Sequence, residues 1–334
     1  MALQDIVDFI MPLRGKRLAA VTHSRPDGDA AGSVWGLCGI LRAIGVGADA
    51  VNLAPIPESL RFLRIPELDR IHPEPDWPDQ YDALAVLDCG EWPRLDPVNQ
   101  VAADKLPAMT IDHHATSAGV GGAIWIDPAA SSAGEMVVRL ARVAGWTIPR
   151  GAAQALWAAI VTDTGRFSYE NTSVAALEAA KECVRRGADP ATAAAQLYQS
   201  IGRGELVLRR RVMERIEFLR DGRLATSWLS RDDFREAGID AGVAQGLGDI
   251  LRSVEGVEAA LFLYEMTGAA GEAPARVKVS VRTRTPHDAT ALTARFGGGG
   301  HLRAAGCALD PPLDAARKKA VAAATELWFP EPRP

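Results

Sequence analysis

Four short apolar segments of this chain each stop at side chains that can bind a metal ion. Residues 18–22 run into His23, with Asp27 and Asp29 close behind, and 83–87 end at Asp88. The run 107–111 ends in Asp112-His113-His114, and 152–162 ends at Asp163. Buried strands of a parallel sheet read as short apolar runs, and in an open parallel sheet ligands gather at the carboxyl ends of the strands. The pattern therefore predicts one rim carrying carboxylates and imidazoles, and it restricts the fold more than any other feature.

The rest of the first half supports that reading. Residues 3–13 have helical spacing (Ile6, Phe9, Ile10, Leu13), and 17–22 read as the first strand. Pro26 and Gly28 make a tight loop, 30–44 a helix stopped by Gly45, and 48–52 a second strand. The stretch 55–78 is proline-rich, with a short helix at 58–63. Strands follow at 83–88, 104–111 and 123–126, and helices at 135–144 and 152–161. Strand and helix alternate, as in a doubly wound, mostly parallel α/β sheet. Residues 173–186, 190–198 and 204–219 read as helices, the last bridging to a second, smaller α/β unit. That unit has strands at 223–229, 259–264 and 276–283, helices at 240–254, 289–296 and 313–327, and a hairpin loop at 267–274. The division expected is 1–186 for the first domain, 187–221 for a helical linker and 222–330 for the second domain.

Each ligand candidate has a plainer alternative. Asp29 could be a helix cap, Asp88 a loop cap, the histidines ordinary loop residues, and Asp163 part of a helix end closed by Gly165. All must hold at once for the rim to be meaningless, so the joint pattern points to metal chemistry. Mixed carboxylates and imidazoles without thiolate suit Mn²⁺, Fe²⁺, Co²⁺ or Zn²⁺ rather than Ca²⁺. The candidates exceed what one ion needs, which favours two ions sharing a carboxylate.

A second stretch, Phe296-Gly297-Gly298-Gly299-Gly300-His301, reads as an anion-binding loop leading into a helix at 302–306. Arg282, Arg284 and Arg303 lie near it in sequence, and Arg282 shares a strand face with Ser280. The net charge of −5 argues against a general coat for long nucleic acid but leaves room for a small anion held by a few arginines. The four cysteines are scattered, Asp5 and Asp8 interrupt the N-terminal residues so that they do not read as a signal peptide, and no apolar run reaches membrane-spanning length. A reducing cytoplasm is the expected location.

These motifs resemble the DHH phosphoesterase superfamily with a C-terminal DHHA1 domain, over nearly the whole chain. The carriers are His23-Ser-Arg-Pro-Asp27-Gly-Asp29-Ala-Ala-Gly-Ser33, Val86-Leu87-Asp88-Cys89-Gly90, Asp112-His113-His114, Thr162-Asp163-Thr164-Gly165-Arg166-Phe167, and Gly297–His301 with Ala304-Ala305-Gly306. Length and a single DHHA1 domain resemble the nanoRNase/pAp phosphatase (NrnA-like) branch. The resemblance implies two divalent ions, Mn²⁺ first and Co²⁺, Fe²⁺ or Mg²⁺ as alternatives. His23, Asp27, Asp88 and Asp163 would hold one, and Asp29, Asp88, His113 and Asp163 the other, with Asp88 bridging. Asp112 would orient histidine, and His114 would contact the scissile phosphate. Gly298, Gly299, Gly300, His301, Arg282 and Arg303 would hold the rest of the substrate, and the cleft between domains would limit substrate length.

Short oligoribonucleotides, dinucleotides such as pApA, and 3′-phosphoadenosine 5′-phosphate (pAp) are the implied substrates, with a homodimer compatible and no membrane partner. Alternatives are a cyclic-dinucleotide phosphodiesterase, a RecJ-like single-strand exonuclease, and a non-catalytic nucleotide-binding regulator. The last is disfavoured because every ligand position is filled. Arg166 departs from the small or polar residue expected there.

Overall fold

A computed structural model describes the chain except residues 1, 25, 53–57, 64, 66–68, 72–75, 91–94, 96, 200, 267–275, 311 and 331–334. The chain divides into two compact units, Met1–Ser200 and Ile201–Pro334. Among the described residues no helix is long and apolar enough to cross a membrane.

The first unit is built on six strands: β1 (Arg17–Val21), β2 (Gly47–Asn52), β3 (Asp69–Ile71), β4 (Ala83–Leu87), β5 (Ala108–Asp112) and β6 (Ala123–Ile126). Their order is β3-β2-β1-β4-β5-β6, and every neighbouring pair is parallel. β4 and β5 are buried along their whole length, so they carry apolar residues on both faces rather than alternating ones. The helices are α1 (Ala2–Ile10), α2 (Gly28–Ala43), α3 (Pro97–Lys105), α4 (Ala133–Ala144), α5 (Arg150–Asp163), α6 (Val174–Arg185) and α7 (Pro190–Tyr198). This is the doubly wound sheet expected from the alternation. Chain order reverses between β1 and β4, which makes their carboxyl ends the natural crevice.

Two elements escaped the sequence reading. β3 lies in the proline-rich stretch, and α3 (Pro-Val-Asn-Gln-Val-Ala-Ala-Asp-Lys) has too few apolar residues to show a stripe.

Helices α2, α4 and α5 pack unusually close, and small residues allow it. A Cβ on Gly32 would lie 2.4 Å from the Ala155 carbonyl oxygen, and one on Gly28 2.4 Å from Thr162 Oγ1. Gly36 and Gly39 meet Leu156 and Ala152 in the same way, and Gly134 of α4 meets Ala159. Gly28, Gly32, Gly36 and Gly39 recur at helical spacing, so one face of α2 lies almost backbone-to-backbone on α5. That contact fixes Asp29, near the start of α2, against Asp163, the last residue of α5.

The second unit begins with α8 (Arg203–Glu214) and carries β7 (Glu217–Leu219), β8 (Leu224–Leu229), α9 (Arg231–Ala237), α10 (Gly248–Arg252), β9 (Ala259–Glu265), β10 (Val277–Thr283), α11 (Ala289–Ala294), β11 (Gly299–His301), β12 (Ala304–Leu309) and α12 (Leu313–Trp328). Its sheet is mixed, in the order β11-β12-β10-β9-β8-β7, and only β8 and β9 are parallel. α9 is a further helix the sequence reading did not mark.

Three local expectations are corrected. The helix read over 204–219 stops at Glu214, and its last residues form β7. The helix read over 240–254 is a 3-10 segment (Ala241–Gly246) followed by the five-residue α10, since three glycines, Gly242, Gly246 and Gly248, weaken a continuous helix. No helix starts at 302–306: Ala304–Leu309 is β12, paired with β10 and β11, because sheet partners on both sides override a short local preference. The hairpin loop read at 267–274 lies outside the described residues.

Candidate metal centre

Asp88 is the hub. It follows β4 directly, and its φ of 52° puts a non-glycine residue in the left-handed region. Such strain persists where surrounding structure enforces it, commonly at functional sites. Asp88 Oδ2 stands 3.7 Å from His23 Nε2, beyond β1. Asp88 Oδ1 stands 3.4 Å from His113 Nε2 and 3.5 Å from His114 Nδ1, beyond β5. His113 Nε2 is also 3.6 Å from Asp29 Oδ2 and 3.6 Å from Asp163 Oδ2. Within the first unit, three sets of ligand atoms cluster within 4.8 Å: His23 with Asp27 and Asp88, Asp29 with Asp88 and His113, and Asp88 with Asp112 and His114. Asp88 belongs to all three. The expected ligands His23, Asp27, Asp29, Asp88, His113 and Asp163 thus meet in one place.

The backbone aims each of them. Asp27 caps α2 and accepts from the amides of Asp29 and Ala30. Asp29 is not a cap of its own helix. It reaches across to the N-terminus of α4, where Oδ2 accepts from Ala133 N at 2.7 Å and Oδ1 from Gly134 N at 2.9 Å. That end of a helix favours a carboxylate. His113 Nδ1 lies 3.3 Å from the Ala130 carbonyl, which assigns its proton to Nδ1 and leaves Nε2 for a ligand bond. Asp112 Oδ1 accepts from His113 N at 2.8 Å, His114 N at 3.2 Å and His114 Nδ1 at 2.8 Å, so it orients both imidazoles from behind. Asp163 sits at the C-terminus of α5, where the helix dipole disfavours a negative charge and a cation is welcome.

Electrostatics say the same. Where this chain buries a carboxylate for structure it supplies arginines: Asp49 pairs with Arg17 and Arg42, and Asp233 with Arg211 and Arg215. Among the described residues, Asp29, Asp88, Asp112 and Asp163 form ion pairs only with histidines. Burial, with Asp88 and Asp163 adjacent, pushes the Asp29 carboxyl well up. Burial also pushes Asp163 up to about 7. At Asp88 burial acts upward too, but the close imidazoles of His113, His23 and His114 outweigh it and hold the carboxyl well below its usual range. For His113 burial acts downward, yet Asp88, Asp163 and Asp29 raise it well above an ordinary imidazole. His114 is raised as well, burial being outweighed by its bond to Asp112.

Without an ion, then, protons supply the missing positive charge. Asp88 Oδ1 is buried with no hydrogen-bond donor satisfying it. Its 3.4 Å separation from His113 Nε2 is near the ~3–3.5 Å between ligands that share one ion at about 2.1 Å. The donor set, the orphaned oxygen and, among the described residues, ion pairs with histidines and not with arginine fit divalent metal ions.

Metal binding must displace those protons. Affinity for Mn²⁺ is therefore expected to fall steeply as pH drops below about 7, where Asp163 takes up its proton, and to go on rising above it as His113 gives up its own. Titrations of Mn²⁺ from pH 5.5 to 8.5, with proton release measured in two buffers, check this. A flat affinity with no proton release would contradict it.

Sequence reasoning gave no role to two contributors, Gly90, quoted only as the end of the Asp88 motif, and Asn171. Gly90 has no room for a side chain: a Cβ would stand 1.4 Å from Ser117 Oγ and 2.7 Å from Asp112 Oδ2. Asn171 Nδ2 donates to the Ser131 and Asp163 carbonyls, both at 3.1 Å, tying the loop before α4 to the end of α5. Neither has a signal in residue type alone. Arg166 is exposed, in a left-handed conformation (φ 63°), with its guanidinium 4.9 Å from the Tyr198 ring centroid.

In the second unit Arg282 donates to Asp249 Oδ1 at 3.1 Å and to Ser280 Oγ at 3.0 Å, so the shared face is real. Gly299, Gly300 and His301 form β11, and Gly298 presses on the Gly306 carbonyl, where a Cβ would come within 2.3 Å. The glycine run is a strand edge in close contact with β12, in place of the anion-binding loop expected. Arg303 is occupied by the His287 carbonyl and Thr285 Oγ1, away from Arg282 and Ser280.

Comparison with known proteins agrees with this geometry. Residues 17–181 match the DHH family, N-terminal domain, and 221–327 match the DHHA1 domain. The chain is 31% identical to the bifunctional oligoribonuclease and PAP phosphatase NrnA of Thermus thermophilus, over 91% of this chain and 88% of that protein. It is 29% identical to the protein of the same name from Bacillus subtilis, over 86% and 87%. An exopolyphosphatase-related protein from Bacteroides fragilis shares the fold, with a TM-score of 0.85 at 22% identity, covering 98% of this chain and 97% of that one.

Proposed function

The chain belongs to the DHH family and is a phosphoesterase of that family; from this premise we propose that it hydrolyses short oligoribonucleotides to mononucleotides and removes the 3′-phosphate of pAp. The observation that carries the reading is Asp88 standing in three ligand clusters at the crevice where strand order reverses. In this reading His23, Asp27, Asp88 and Asp163 hold one Mn²⁺, and Asp29, Asp88, His113 and Asp163 the second. Bound ions supply a water of lowered pKa and a Lewis acid for the phosphoryl oxygens.

The protein's own groups do the rest. Asp112 fixes His114 through Nδ1, and His114 Nε2–H donates to an oxygen of the scissile phosphate as its charge develops. Asp29, locked by two α4 amides, keeps His113 and Asp163 in register. Arg282 and His301, with the β11 backbone, hold the remainder of the substrate. Arg303 is withdrawn from that role because its guanidinium braces residues 285–287.

A hydrolysis panel tests the reading: pAp, pApA, RNA of graded length and a cyclic dinucleotide, with Mn²⁺. The expected result is highest kcat/KM on dinucleotides and pAp, falling with chain length. Preference for long single strands, or for the cyclic dinucleotide, would overturn it.

A further inference from the structure

His301 ends a strand that is poorly equipped to hold it. β11 is three residues long, lies at the edge of its sheet, and two of its residues are exposed glycines. Glycine leaves the backbone freer than any other residue. β11 pairs with β12 through Gly299 and Gly306, Gly300 and Ala305, and His301 and Ala304. That register leaves a two-residue loop, Leu302-Arg303. Such loops normally take the primed turns, which need positive φ at one or both loop residues. Neither Leu302 nor Arg303 has a positive φ. The hairpin therefore does not close on turn geometry of its own, and its shape depends on contacts from outside the loop.

Those contacts are specific. The Leu302 carbonyl accepts from Ala289 N at 2.8 Å and Thr283 Oγ1 at 3.3 Å, and the Arg303 carbonyl from Thr283 N at 3.0 Å. The Arg303 guanidinium adds a clamp: Nη2 donates to Thr285 Oγ1 at 2.9 Å and Nη1 to the His287 carbonyl. His287 is itself fixed. Its Nε2 lies 2.8 Å from Glu258 Oε2, and its ring packs on Phe329 and Trp328 with centroids 5.1 and 5.6 Å away. The guanidinium thus ties the tip of the hairpin to a loop anchored on β9's approach and on the end of α12. A planar fork reaching two acceptors is a task for arginine, which a lysine ammonium performs less well.

We propose that Arg303 is a positioning residue for His301: by clamping the turn that directly follows it, Arg303 fixes where the imidazole stands. The proposal rests on the reading of His301 as a group that holds the nucleotide, and deepens it. Proximity in sequence places Arg303 on the substrate; the geometry makes it act through its neighbour.

The test is a double-mutant cycle, read by calorimetric titration of the full, Mn²⁺-loaded chain with 5′-AMP. Arg303→Met weakens AMP about tenfold, His301→Ala weakens it at least as much, and the double variant is no weaker than His301→Ala alone. Arg303→Lys shows a smaller loss, which likewise vanishes beside His301→Ala. Amide hydrogen exchange over 299–305 speeds up in Arg303→Met while Mn²⁺ affinity stays at the wild-type value. An Arg303 loss of equal size in both backgrounds, which marks a direct contact or a general loss of structure, overturns the proposal. So does unchanged AMP binding or unchanged exchange in Arg303→Met. Unchanged AMP binding by His301→Ala removes the role of His301 and that of Arg303 with it. The cycle needs no turnover, so a failed hydrolysis panel with the coupling intact removes the functional reading alone.

Discussion

Asp88→Asn is expected to abolish metal-dependent hydrolysis, with kcat falling on the order of 10³-fold or more, while the chain stays folded. The size follows from the position. Asp88 is the one residue present in all three clusters of the first unit's centre, so its loss removes a ligand from both proposed ions. Metal ions contribute several kcal/mol to transition states of this type, and each ~1.4 kcal/mol is tenfold in rate. Asparagine is the right replacement because it tolerates the left-handed conformation that Asp88 adopts, whereas alanine would add backbone strain to the loss of the ligand. Mn²⁺ binding followed by electron paramagnetic resonance, beside kcat on pApA, separates lost ions from lost fold. A variant that retains both ions and full activity would refute the hub assigned to Asp88.

Gly32→Ala is expected to destabilise the protein by ~1–3 kcal/mol and to reduce activity as much as 10²-fold, although helix propensity alone predicts the opposite sign. In an unhindered helix, alanine in place of glycine stabilises by about 1 kcal/mol. Here the added Cβ would lie 2.4 Å from the Ala155 carbonyl oxygen and 3.0 Å from Ala159 Cβ. A backbone oxygen cannot rotate aside, so α2 and α5 must part, and overpacking of this kind typically costs ~1–3 kcal/mol. The separation reaches the centre directly. Asp29 lies one turn before Gly32 on α2, and Asp163 ends α5. A misplacement of about 1 Å can cost ~10²-fold in rate. Gly122→Ala is the control, since nothing lies within 4 Å of its added Cβ, and it should leave Tm and kcat unchanged. Equal Tm values for the Gly32 variant and wild type would show that the helices give way without strain.

The candidate ligands were legible because they lie at or just beyond the ends of apolar runs, a local signal that survives without any knowledge of tertiary structure. The second unit was less legible. Its glycine run looks like an anion-binding loop by composition, but Gly298 is there to let β11 approach β12, and the same residues serve either purpose. Arg303 looked like a substrate contact because it is near His301 in sequence, yet its guanidinium turns to residues 285 and 287.

Residue order by itself determined the fold class, the candidate ligands and the kind of ion their side chains suit. These follow from periodicity and donor chemistry, which are local. Tertiary structure alone decided that Asp88 is shared, that Asp29 is held by the amides of α4, and that Asp249 offsets Arg282. Such facts depend on how closely helices approach and which strands pair, and packing over 33 to 105 residues of separation leaves no mark on any short stretch.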